Sequence, residues 1–144
     1  VREVILARDL TDEKFDEKCR VLSGVLNDPY TGQIIHFQRG EKTSSKVQID
    51  HVVALSDAWQ KGAQQISPEE REKLANDPLN LLAVDGPANQ AKGDGDAATW
   101  LPSNKPFRCQ YVARQIAIKR RYHLWVTEAE KSAMSGILEK CVEV

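Results

Sequence analysis

Asp50 and His51 stand side by side at the end of the alternating run Val47-Gln48-Ile49, and Asn80, Asn89 and Lys92 follow at wider spacing. Together these side chains have the parts that phosphodiester hydrolysis needs: a base for water, ligands for a cation that meets the developing charge, and positioning groups. Histidine is the side chain most readily used as a base near neutral pH. A hard cation such as Mg²⁺ takes oxygen ligands from carboxylates, amide carbonyls and water. Adjacent side chains on an extended strand point to opposite faces. His51 can therefore face a scissile phosphate while Asp50 reaches a metal beside it only if the strand ends or bends there. Asn89 would then supply a second oxygen ligand.

Each residue alone is weak. Asp-His pairs are common, Asn80 in an apolar run could simply satisfy a buried backbone group, Asn89 could be a local backbone partner, and Lys92 is by default a surface lysine. The weight lies in their order and in the elements that would carry them. Val47 to Asp50 reads as a strand delivering His51, and Leu79 to Val84 as a short buried strand holding Asn80. Pro87 opens a helix that carries Asn89 and Lys92 and stops at Gly93-Asp94-Gly95.

The flanking elements are readable in the same way. Cys19–Leu26 and Gln33–Gln38 are apolar-rich runs around the turn formers Asn27-Asp28-Pro29-Tyr30-Thr31-Gly32, a β-hairpin pattern. Arg39–Lys46 is a polar loop, and Val52–Gln60 has a composition compatible with a helix. Ser67-Pro68-Glu69-Glu70 starts a helix that ends near Asn76-Asp77-Pro78. Phe107–Tyr122 reads as one helix. Thr127-Glu128-Ala129-Glu130 opens a last one, with Met134, Ile137, Leu138 and Cys141 on one face.

A chain of 144 residues with 41% apolar and 28% charged residues is an ordinary single globular domain. No run reaches the roughly 18 apolar residues of a membrane span. The net charge of −1 exerts no overall pull on nucleic acid. Between Ala97 and Thr127, however, there is no acid, and Lys105, Arg108, Arg114, Lys119, Arg120 and Arg121 form a candidate phosphate-facing stretch, or merely a basic solvated helix face. Cys19, Cys109 and Cys141 lack the spacing of a zinc site. Cys109 and Cys141 can pair if the protein is exported; the alternative is three reduced, buried thiols. Asp94 and Asp96 do not complete a calcium loop, Asp57 reads as structural, and His36 and His123 as packing or surface residues. Trp59, Trp100 and Trp125 are most simply core, although one could stack on an unpaired base.

The segments Val47–Leu55, Leu79–Leu82 and Asn89–Gly93 resemble the HNH nuclease superfamily, and more closely the group that includes the C-terminal domains of GmrSD-type restriction enzymes. Asp28-Pro29-Tyr30-Thr31-Gly32 and Lys92–Pro102 are similar to small secreted actinobacterial members. The resemblance covers nearly the whole chain. It implies an α+β fold, a single domain over 1–144, with a ββα-metal (His-Me finger) core at about 47–96, an N-terminal β-hairpin and C-terminal helices. It further implies a metal-dependent endonuclease with His51 as general base, Asp50 and Asn89 as metal ligands, Asn80 holding the histidine's loop, and Lys92 steadying a phosphate. An asparagine at the last ligand position favours one Mg²⁺ or Mn²⁺ over zinc or nickel. The expected partner is nucleic acid, double-stranded DNA foremost, bound with low sequence specificity through Lys46, Arg114 and Lys119. A monomer without membrane contact is expected, secreted, with a cytoplasmic location as the alternative. The alternatives are a non-catalytic binding domain of the same fold, or a nuclease module active only within a multi-part restriction system.

Overall fold

A computed structural model describes residues 1–40 and 44–141. The expected polar loop Arg39–Lys46 therefore lies partly outside the described residues, over Glu41-Lys42-Thr43. The chain begins with a helix, α1 (Arg2–Asp9), and a strand, β1 (Thr11–Phe15), that the sequence patterns did not suggest. The expected hairpin is present as β2 (Val21–Asn27) and β3 (Ile34–Gln38), but β1 extends it to a three-stranded antiparallel sheet in the order β1-β2-β3. α1 escapes notice because Val1 offers no side-chain cap. β1 is exposed along most of its length, and its polar Thr-Asp-Glu-Lys shows no alternation.

A 3₁₀ turn (Ser44–Lys46) leads into β4 (Val47–His51), which pairs antiparallel with β5 (Leu81–Asp85), His51 opposite Leu81 and Asp50 opposite Leu82. Between them run α2 (Leu55–Gln60) and α3 (Pro68–Asn76). The Ser67 hydroxyl caps α3 at Glu70 N–H, while the Glu70 carboxylate pairs with Lys73. β5 is followed at once by α4 (Gly86–Lys92), then α5 (Arg108–Arg121) and α6 (Glu128–Leu138). The Thr127/Glu130 capping box at α6 forms in full.

The β4–β5 ribbon is buried on both faces, which explains the unbroken apolar run in β5. Leu81 and Ala83 join Val47 in a cluster with Ile5 and Leu6 of α1 and with Val21, Leu26 and Phe37 of the N-terminal sheet. Leu82 and Val84 face Tyr30, Val52 and Tyr111. Asn80 lies not in a strand, as the apolar pattern suggests, but in the 3₁₀ turn Pro78–Asn80, where the Asp77 carboxylate accepts from Leu79 N–H. α4 packs on both strands of the ribbon and on the 3₁₀ turn before β4. That last seam is tight: a Cβ on Gly86 would sit 2.1 Å from the Ser45 carbonyl oxygen.

Candidate active site

Asp50 occupies the β4 position that shares its face with Leu82 and Val84, so it points toward Tyr30 and α4. It is 6% exposed. Its carboxylate accepts from the Tyr30 hydroxyl and from Lys92 Nζ, at 3.0 Å on Oδ2 and 3.2 Å on Oδ1. Tyr30 is fully buried, and burial first, then the charge of Asp50, pushes its hydroxyl well above the ordinary range, keeping it protonated as a donor. Asp28 holds the loop that delivers Tyr30: its Oδ1 accepts from Tyr30 N–H and Asp85 N–H, its Oδ2 from Thr31. Rings of Trp100, Phe107 and Tyr111 surround the phenol.

His51 closes the strand, and the chain bends directly after it. Val52 N–H donates to Asn80 O at 2.8 Å, and Val53 N–H to Asn80 Oδ1 at 2.7 Å, while Asn80 Nδ2 donates to Val53 O at 3.3 Å. Asn80, with 0% exposure, is thus a clasp on the bend. The bend lets neighbouring residues serve one cleft. His51 Nε2 lies 2.9 Å from the Ala75 carbonyl in the last turn of α3. A carbonyl only accepts, so Nε2 carries the hydrogen and Nδ1 is the ring nitrogen with a lone pair in the neutral imidazole.

Asp50, His51 and Asn89 line one cleft of about 340 Å³ together with Ile49, Ala54, Leu55, Ser56, Gly93 and Asp94. Asn89 Nδ2 donates to Gln48 Oε1 at 2.9 Å, which commits the amide nitrogen and leaves the amide oxygen for other partners. A carboxylate has about four acceptor positions, so Asp50 keeps capacity beyond Tyr30 and Lys92. The donor set of carboxylate and amide oxygens fits a hard divalent cation.

Other sequence candidates fall elsewhere. Lys92 is 3% exposed and also donates to His51 O at 2.8 Å, so it buttresses Asp50 instead of meeting solvent. Lys119, also 3% exposed, is turned inward to Asp57 Oδ2 at 3.1 Å and Glu130 Oε2 at 2.6 Å. Arg114 is half-buried and donates to Leu79 O at 2.8 Å. The acid-free stretch is therefore no continuous basic face: Arg121 pairs with Asp77 and Arg108 bonds Pro102 O, while Lys105 and Arg120 are exposed. Lys46 is exposed on the 3₁₀ turn that packs against α4.

A second acidic group, Asp57, Asp96 and Glu130, has ligand-type oxygens within 4.8 Å of one another. Two ammonium groups already stand among them, Lys119 and Lys61, the latter at 2.5 Å from Asp57 and 2.8 Å from Asp96 and in contact with Glu130. This is a structural ion network. Cys109 and Cys141 form a disulfide, and Cys19 is an exposed free thiol.

Sequence reasoning missed Tyr30, Gln48 and the Ala75 carbonyl. The run Asp28–Gly32 marks a turn and carries part of the family likeness without pointing to a role for Tyr30, and a backbone carbonyl has no signature at all.

A family model described as "GmrSD restriction endonucleases, C-terminal domain" matches residues 1–137. An uncharacterized secreted protein of Arthroderma benhamiae is 40% identical over 142 residues, which cover 97% of this chain and 67% of that protein. No solved structure matches.

Proposed function

Because the chain belongs to the family of GmrSD restriction endonuclease C-terminal domains, we propose that it is a metal-dependent endonuclease of the HNH type, with β4, β5 and α4 as its ββα-metal core. The observation that carries this reading is the convergence of Asp50, His51 and Asn89 on one cleft, with the His51 ring held through Nε2. Asp50 and Asn89 would hold one Mg²⁺ or Mn²⁺. Such a cation, when bound, supplies Lewis-acid stabilisation of charge on the phosphate and the leaving oxygen.

The remaining work belongs to the chain. His51 Nδ1 takes a proton from a water molecule, whose oxygen attacks phosphorus. The bond from phosphorus to the 3′ oxygen breaks, that oxygen takes a proton from solvent, and a 5′-phosphate remains. Tyr30 and Lys92 keep Asp50 aimed, and Asn80 keeps the His51 bend closed. Lys46, exposed on the turn that packs against α4, would meet a flanking phosphate in this reading, whereas Arg114 and Lys119 have internal partners. The disulfide and the secreted relative support an exported protein. The substrate is nucleic acid, DNA foremost, and the chain acts as a monomer.

Plasmid DNA incubated with the protein and Mg²⁺ or Mn²⁺ tests the proposal. Cleavage is expected, abolished by EDTA and reduced about 10²- to 10⁴-fold in His51→Ala. No cleavage with any divalent metal defeats the nuclease reading; equal cleavage by His51→Ala removes the assigned base.

A further inference from the structure

α2 follows the His51 bend directly and is built inside out. Its inward positions are Asp57 and Ala58, at 7% and 1% exposure, whereas Leu55 and Trp59 are 43% and 50% exposed. Asp57 is inward because Lys61 and Lys119 need it. That requirement does not explain why the outward positions carry two large apolar side chains. Scattered surface hydrophobics need no explanation, but these two lie four residues apart, on one side of the helix. Leu55 also lines the cleft with Asp50, His51 and Asn89. Four residues of helix advance about 6 Å. Trp59 therefore begins about one helical turn from the cleft wall.

The indole is also held in place. The Arg71 guanidinium stands 5.4 Å from the ring centroid of Trp59. Arg71 is fixed in turn by the carbonyls of Ala63, at 3.2 Å, and Ile66, at 2.7 Å. Arg71 thus backs the indole while half of Trp59 stays open to solvent. The other tryptophans differ. Trp100 packs edge-on against Tyr30 and Tyr111. Trp125, 45% exposed, covers Gly62; like Trp59 it lies outside the cleft lining, but it lacks the one-turn link to Leu55 that Trp59 has.

We propose that Trp59, with Leu55 beside it, is a stacking subsite for an unpaired nucleobase next to the scissile phosphate, which directs the enzyme to single-stranded or locally opened nucleic acid. A paired base in a duplex has both faces covered by its neighbours, and only an unpaired one offers a face to an indole. The arrangement is sequence-tolerant because every base has such a face. This inference rests on the nuclease reading of the cleft.

Binding and chemistry are measured apart. Fluorescence anisotropy of a labelled twelve-residue oligothymidylate, in low salt with EDTA, compares the wild type with Trp59→Ala, Trp59→Phe and Trp125→Ala. Hydrolysis of bis(p-nitrophenyl) phosphate with Mn²⁺, a diester without bases, reports the cleft itself. Trp59→Ala is expected to weaken oligonucleotide binding about tenfold or more. Trp59→Phe should retain most of the affinity, Trp125→Ala should match the wild type, and all four should hydrolyse the small diester alike. Wild-type affinity in Trp59→Ala, an equal loss in Trp125→Ala, or no wild-type binding overturns the subsite. A wild type that binds through Trp59 but leaves the small diester intact overturns the nuclease reading and leaves the subsite standing.

Discussion

Asp50 is held by residues from opposite sides of its own position in the chain, Tyr30 before it and Lys92 after it. Its single buried charge is therefore matched by one ammonium group and one neutral donor. Tyr30→Phe removes only the donor and keeps the ring among Trp100, Phe107 and Tyr111. It should cost about 1.5–3 kcal/mol, the range for a hydrogen bond to a charged group. Urea unfolding of both proteins measures this, and a loss below about 0.5 kcal/mol would show that the hydroxyl does not hold the carboxylate. At this scale the sequence was half legible. Asp50, His51, Asn80 and Asn89 stood out because their types suit the chemistry and their order suits strand, strand and helix. Lys92, expected at a phosphate, lies buried against Asp50, and Lys119, expected on the surface, is turned inward, because a positive charge in a sequence carries no sign of facing inward.

Three helices meet at the ion network: Asp57 on α2, Lys119 on α5 and Glu130 on α6, joined by Lys61 and Asp96. Glu130 has 0% exposure and also accepts from Thr127 N–H, so one carboxylate caps α6 and receives both lysines. Burial alone would raise the Glu130 carboxyl, but the bonds from Lys119, Lys61 and the Thr127 backbone outweigh it and hold the group below the usual range; Asp96 is lowered in the same sense, with Lys61 as its main partner. A carboxyl lowered on folding contributes stability that is present above its unfolded value, near 4, and is lost as pH falls through the folded value. Stability followed by urea midpoint should therefore fall steeply below about pH 4. In Glu130→Gln the fall should be shallower, with a loss at neutral pH of about 1.5–3 kcal/mol, because Lys61 and Lys119 lose one charged acceptor but keep Asp57 and Asp96. An unchanged acid profile in the variant would exclude Glu130 as its origin. Elements whose start is written in side chains, such as α3 behind Ser67 and α6 behind Thr127, were visible in the sequence. α1 and β1 owe their form to contacts with the sheet and ribbon, which no local pattern records.

Over the whole molecule, the Cys109–Cys141 bridge, with a sequence separation of 32, binds the start of α5 to the segment just after α6. A loop of that length is worth about 3–4 kcal/mol in the chain-entropy model. Reduction, or Cys109→Ser with Cys141→Ser, should lower Tm by about 10 °C, at a few degrees per kcal/mol for a domain of this size. A calorimetric scan with and without reductant measures this; a shift of under about 2 °C would mean that packing alone holds the hairpin. The seam between α4 and the turn before β4 has a consequence for inheritance. With the Ser45 oxygen 2.1 Å from any Cβ at position 86, the site tolerates hydrogen and nothing larger. A library randomised at that codon and selected for folded protein should return glycine alone. Among relatives, that one letter becomes a marker: those that keep it can inherit the placement of Lys46 beside α4, and those that have lost it must have rerouted the turn.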